Sequence, residues 1–221
     1  MNKTAIILGA TGLTGNSLLL QLLEDDRYSR IVLFSRKSTG IQHPKIHEYF
    51  IDLFQLSNYK SVFKADDVFC CIGTTKAKTP NKDTYKAIDY GIPVSAAELC
   101  KKNNIPTFIV ISSMGSNEKS KLFYNRTKGL MEQKVLKFDI KKTHILQPSL
   151  IEGNRKEKRF GEWIFKQLSK AMPLLKVGPL KKYQPVSENK IAKAMVYLAN
   201  AEHKEIRIDN LTIHEIANSY D

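Results

Sequence analysis

With 221 residues the chain exceeds the commonest domain size but still fits one α/β core, which at this length buries roughly 70 to 75% of the unfolded surface without help from disulfides or structural metal. Three cysteines, Cys70, Cys71 and Cys100, with no C-x-x-C pair and no Cys/His cluster, exclude a disulfide framework and a metal centre and point to a reducing compartment. Lys plus Arg (35) exceed Asp plus Glu (22) by 13, a balance that favours an anionic partner of some kind.

The chain begins Met1-Asn2-Lys3, and the apolar run Ala5-Ile6-Ile7-Leu8 stops at Gly9. That run is too short for the core of a secretory signal and right for a strand. Short apolar runs then alternate with longer amphipathic ones, the pattern of βαβ units around a parallel sheet buried on both faces. Strands are expected at Thr4 to Leu8, Ile31 to Ser35, His47 to Ile51, Val68 to Ile72, Thr107 to Ser112 and Thr143 to Gln147, with a last one at Ile206 to Ile208. Helices are expected at Thr14 to Leu23, Leu56 to Phe63, Lys82 to Lys102, Leu122 to Lys137, Gly161 to Ala171 and Glu188 to Asn200. Ile105-Pro106 and Gln147-Pro148 redirect the chain where crossovers should turn.

After Pro148 the character changes. Pro173, Pro179 and Pro185 break the segment, and Phe160, Trp163, Ile164, Leu168 and Met172 share roughly one face, so residues 148–190 read as a lid on the substrate side. The densest basic patch, Arg155-Lys156-Glu157-Lys158-Arg159, reads as a solvated face. No nucleic-acid module accompanies it, so nucleic acid is not the expected partner. No repeat or linker divides the chain, and no apolar stretch reaches the roughly 18 residues of a membrane span. The expectation is one domain over 1–221, α/β, a Rossmann-type doubly wound parallel sheet with helices on both faces and a small C-terminal lid, in a soluble cytoplasmic protein. Nothing in the pattern bears on oligomeric state.

Strand one runs into Gly9-Ala10-Thr11-Gly12-Leu13-Thr14-Gly15. The spacing differs from G-x-G-x-x-G, but the glycines make the same demands on the backbone: a sharp turn, close approach of a phosphate, and a helix whose first N–H groups and dipole face it. The alternative is a plain strand-to-helix turn. The second strand ends Phe34-Ser35-Arg36-Lys37, with no carboxylate to hold the ribose hydroxyls of NAD. One charge-assisted bond contributes roughly 1.5 to 3 kcal/mol, so Arg36, with Ser35 and Lys37, would favour NADP(H) by about tenfold to a hundredfold; NAD(H) stays allowed. Otherwise Arg36 is a surface charge closing a strand. Asp52, followed by Leu53, could accept from the adenine amino group or only cap the next helix. Cys71-Ile72-Gly73-Thr74-Thr75 forms a floor that ends in small residues, with Cys71 read as packing rather than as a nucleophile.

Strand five ends in Ser112-Ser113, and the next helix carries Tyr124-Asn125-Arg126-Thr127-Lys128. Positions i and i+4 share a helix face, which sets Lys128 beside Tyr124. A neighbouring ammonium stabilises a phenolate and suits a tyrosine to pass a proton to a carbonyl or take one from an alcohol. A serine from the strand end could hold the substrate oxygen, and the lysine could also contact the nicotinamide ribose. The alternative is that Tyr124 packs and Lys128 is solvated.

These residues resemble the atypical short-chain dehydrogenase/reductases, and within them the Tat-interacting-protein-like oxidoreductase branch. The matching stretches are GATGLTG at Gly9–Gly15, FSRK at Phe34–Lys37, DVFCCIGTT at Asp67–Thr75, Ser112-Ser113, YNRTKG at Tyr124–Gly129, QPSL at Gln147–Leu150 and GEW at Gly161–Trp163. The resemblance implies a Rossmann fold binding NADPH, with Tyr124 and Lys128 in the Tyr-x-x-x-Lys positions, Ser112 or Ser113 in the serine position, and Gln147-Pro148-Ser149 along the nicotinamide end. The family more often has arginine at Gln147 and glycine at Ser149, and many dehydrogenases have asparagine near Asp89. The expected function is an NAD(P)H-dependent oxidoreductase acting on the carbonyl or alcohol of a small molecule. The rival is a cofactor-binding regulatory protein that a protein partner reads.

Overall fold

The computed structural model describes residues 2–152 and 178–219. Seven strands form one parallel sheet in the order β3-β2-β1-β4-β5-β6-β9: β1 Lys3–Leu8, β2 Tyr28–Ser35, β3 Ile46–Phe50, β4 Asp67–Cys70, β5 Thr107–Ile111, β6 Lys142–Gln147 and β9 Arg207–Asp209. Successive side chains of a strand point to opposite faces, and here both sets are apolar. Ala5, Ile7, Leu33, Phe69, Ile109 and Leu146 face one core, while Ile6, Leu8, Phe34, Val68, Phe108 and Val110 face the other. The first core is closed by α1 (Leu13–Glu24), through Leu18, Leu19 and Leu22, and by α5 (Glu188–Asn200). The second is closed by a 3-10 turn at Leu53–Tyr59 and by the helices α3 (Ile92–Lys102) and α4 (Phe123–Leu136). The result is a doubly wound Rossmann-type sheet whose strand order reverses between β1 and β4, the place where such folds open a crevice at the strand carboxyl ends.

The helix expected over Lys82 to Lys102 is three pieces: α2 (Lys82–Lys86), a π turn at Ala87–Gly91, and α3. Pro93 explains the break. It has no N–H for the Asp89 carbonyl four residues back, and its ring crowds that carbonyl, so the ladder widens there. Asp89, at the centre of the π turn, ends fully buried.

Two elements were not anticipated. A two-stranded parallel ribbon pairs β7 (Ile151–Glu152) with β8 (Val186–Ser187), and α6 (Asn210–Ser219) follows β9. The ribbon brings together the two ends of the expected lid. The expected helix at Gly161 to Ala171, the Phe160/Trp163/Ile164/Leu168/Met172 face and the Arg155–Arg159 patch lie outside the described residues. Among the described residues no helix is long and apolar enough to cross a membrane.

Candidate functional site

The glycine turn is built around positions where a side chain would not fit. Gly9 has φ +90°, and a Cβ there would meet the Cys71 carbonyl at 3.0 Å; a Cβ on Gly15 would overlap the Gly9 carbonyl. Gly12 N–H donates to that same carbonyl at 2.9 Å, and Asn16 N–H donates to Gly12 O at 2.9 Å, opening α1. No side chain caps the helix at Gly12, so its first-turn amides and positive dipole end stay available to an anion. Thr11 is exposed, Leu13 half-buried and Thr14 buried. These residues fit a pyrophosphate: the glycines clear the volume and the backbone supplies donors.

Ser35 is buried and its hydroxyl donates to Lys37 O at 2.7 Å, which folds the turn so that Arg36 and Lys37 are exposed. Asp52 is exposed and accepts from Phe54 N–H at 3.0 Å as the cap of the 3-10 turn, while Leu53 packs into the core. Cys71 N–H continues the β1 pairing to Leu8 O, and its Sγ faces Met195 Sδ at 3.9 Å. Burial pushes the Cys71 thiol up and takes the Cys70 thiol up to about 11, so both are poor nucleophiles. Ile72 and Thr75 are half-buried.

The densest geometry lies one loop further. Lys128 Nζ meets Asp89 Oδ1 at 2.9 Å, both side chains under 5% exposed, and reaches toward Ile111 O at 3.4 Å. The other Asp89 oxygen accepts from Thr74 N–H at 2.8 Å. A Cβ on Gly73 would stand 3.6 Å from Asp89 Oδ1 and 3.8 Å from Lys128 Nζ, so the floor after β4 lies directly on the ion pair. Burial works against the Lys128 ammonium, but the Asp89 carboxylate and the neighbouring Tyr124 phenol outweigh it, and the group is held above the ordinary lysine range. Tyr124 is 42% exposed, its ring edge-on to Tyr85 at 6.4 Å. Tyr85 OH donates to Thr74 O at 3.2 Å, and burial, then Asp89, pushes that phenol up so that it stays a neutral donor.

The two serines part company. Ser112 Oγ donates to Glu132 Oε1 at 2.5 Å, and the buried Glu132 also accepts from Gln147 Nε2 at 2.9 and 3.1 Å and from Arg207 Nε at 2.9 Å. Ser113 Oγ has no such carboxylate and lies 3.1 Å from Ser116 Oγ, which also stands 3.0 Å from Ser112 Oγ. The Gln147 amide is thus committed to Glu132, where Arg207 supplies the positive charge. Pro148 O accepts from Met114 N–H, and Ser149 Oγ donates to Gln184 O at 2.6 Å. Sequence reasoning passed over Glu132, Tyr85 and Arg207. Glu132 did leave a signal: Tyr124, Lys128 and Glu132 recur at every fourth position, one face of α4. Arg207 left none, because only the tertiary fold brings it there.

Residues 9–150 match the model of a family described as NAD(P)H-binding. The chain is similar to Protein HTATIP2 of Rattus norvegicus, 32% identical over 178 residues covering 78% of this chain and 72% of that protein. It is similar also to the protein named "Protein FMP52, mitochondrial" of Debaryomyces hansenii, 30% identical over 206 residues, 89% of this chain and 88% of that one. Among solved structures it shares its fold with the Bordetella bronchiseptica enzyme WbmH in complex with NAD+, at a TM-score of 0.71 and 14% identity over 99% of this chain and 80% of that one. The expected cytoplasmic location is overturned by the relatives: the FMP52 proteins of Debaryomyces hansenii, Candida albicans and Meyerozyma guilliermondii are all named mitochondrial. Free cysteines signal a reducing compartment and do not distinguish one such compartment from another.

Proposed function

The chain belongs to the NAD(P)H-binding family, on the atypical short-chain dehydrogenase/reductase branch related to Protein HTATIP2, and from that premise we propose an NADP(H)-dependent oxidoreductase that reduces a small carbonyl or oxidises the matching alcohol. The observation that carries the reading is an uncapped helix start at the glycine turn together with a buried lysine–aspartate pair beside a partly exposed tyrosine.

Gly9, Gly12 and Gly15, with Thr11, Leu13 and Thr14, would hold the pyrophosphate; Ser35, Arg36 and Lys37 the adenosine phosphate; Asp52 and Leu53 the adenine side. Cys71 to Thr75 would floor the site, and Pro148 and Ser149, with the backbone of Gln147, would border the nicotinamide. When bound, the reduced cofactor supplies the hydride. Tyr124 gives its phenolic proton to the carbonyl oxygen, and the Lys128 ammonium favours the phenolate left behind. Asp89 fixes Lys128 and, through Thr74, the cofactor floor. Ser113 positions the substrate oxygen, since the Ser112 proton is given to Glu132.

Purified protein with NADPH and a panel of aldehydes and ketones should consume the reduced nicotinamide absorbance with at least one of them. NADPH that binds but is oxidised by none of the panel would sink the enzyme and favour the regulatory cofactor-binding protein. Arg36→Ala should weaken NADPH about tenfold to a hundredfold with little change for NADH, as one charge-assisted phosphate contact predicts. Equal losses for both cofactors, measured by calorimetry, would remove the 2′-phosphate from Arg36.

A further inference from the structure

Two segments around Tyr124 carry an excess of lysine over acid. Segment 73–84 holds Lys76, Lys78 and Lys82 against one acid, Asp83, and segment 113–125 holds Lys119 and Lys121 against Glu118. Both follow strands of the parallel sheet, β4 and β5, so both stand at its carboxyl edge. At the opposite edge basic groups are neutralised in place: Lys3 by Asp67 at 3.0 Å, Arg27 by Asp25 at 2.6 Å, Lys102 by Glu98 at 2.6 Å. Among the described residues no carboxylate pairs with Lys82, Lys119 or Lys121, and all three are exposed.

Lys82 has a defined seat. Its Nζ stands 5.8 Å above the Phe123 ring; Phe123 meets Tyr85 edge-on at 5.6 Å, and Tyr85 meets Tyr124 at 6.4 Å. The ammonium thus caps a run of three aromatic rings that ends at the tyrosine of the site. Leu122, 66% exposed, extends the apolar surface on the β5–α4 side. A cation fixed over aromatic rings, with two more lysines in the β5–α4 segment that leads into Tyr124, offers a charge-matched and ring-lined approach to Tyr124.

We propose that the substrate joins an anionic group, a phosphate or carboxylate, to an aromatic or apolar body, and that Lys82, Lys119 and Lys121 at the rim select it. This rests on the oxidoreductase reading and names its substrate class. Exposed charge contacts contribute only a few-fold each and are screened within about 8 to 10 Å at ordinary salt, so three together give a preference of about tenfold that falls as salt rises.

The test uses the NADPH complex of the full chain. Calorimetric titration with phenyl phosphate and benzoate should show binding about tenfold tighter than benzyl alcohol at low salt, with the margin shrinking as salt is added. The combined variant Lys82→Glu, Lys119→Glu, Lys121→Glu should lose that margin while still binding NADPH, which also reports that it is folded. No preference for the anions, or a preference that survives both the variant and high salt, overturns the proposal. A parallel assay sets para-formylphenyl phosphate beside para-methoxybenzaldehyde as oxidants of NADPH: turnover of both at equal kcat/KM overturns the substrate class alone. Anion selectivity without turnover of either strikes instead at the oxidoreductase reading.

Discussion

Tyr124→Phe is expected to slow carbonyl-dependent NADPH oxidation about a hundredfold to ten-thousandfold, the usual consequence of removing a positioned general acid, with NADPH affinity and thermal midpoint unchanged. The structure makes this a clean substitution. Tyr124 is 42% exposed, and among the described residues no hydrogen bond fixes its hydroxyl, so phenylalanine keeps the edge-on packing against Tyr85 and removes only the hydroxyl that carries the proton. Tyr85→Phe is the matched control. Its hydroxyl donates to Thr74 O from a buried position, so its loss should lower stability by about 1 kcal/mol and leave the proton step in place. A Tyr124→Phe protein that turns over at the parent rate would exclude this phenol as the donor.

The parts of this site that were legible in sequence are those that a local rule enforces. The glycines of the first turn are spaced by what the backbone must do at one corner, and at Gly9 and Gly15 the neighbouring backbone leaves no room for a side chain. Tyr124 and Lys128 share a face because helix geometry requires it, and the doubly covered parallel sheet followed from short apolar runs alternating with longer amphipathic ones. Asp89 was in reach but missed as a partner. Pro93 was there to say that a helix from Lys82 to Lys102 must distort near the residue four positions back, and the π turn that results buries the aspartate against Lys128. The cluster on Glu132 is of another kind. Gln147 and Arg207 reach it from 15 and 75 residues away, through pairings that no periodicity encodes. The same holds for Asn210, whose buried amide donates to Lys182 O and Gln184 O and accepts from Ser149 N–H, holding the end of β6 to the residues before β8.

Lys128→Met is expected to cost about 3 to 5 kcal/mol of stability, because it leaves Asp89 buried and charged without a counter-ion. The sign of its pH dependence follows from the raised folded value of Lys128. A lysine that holds its proton more tightly when folded contributes stability in full below its unfolded value, near 10.5, and loses that contribution as pH climbs through the higher folded one. Urea midpoints should therefore separate parent and variant by a constant amount from neutral pH up to about 10, and converge only in more alkaline solution. A variant that loses less than about 1 kcal/mol, or a gap that closes near neutral pH, would deny the pair its role. Cofactor affinity distinguishes this ion pair from ordinary core. Asp89 holds Thr74 N–H with its second oxygen, so disturbing the pair should also loosen the floor on which the nicotinamide end would rest, and NADPH should bind more weakly. Leu198→Ala, in the buried face of α5 and of similar expected cost at about 2 to 5 kcal/mol, touches none of these groups. At temperatures where both variants remain folded, only Lys128→Met should lose affinity for the cofactor, and equal affinities would reduce the lysine–aspartate contact to packing.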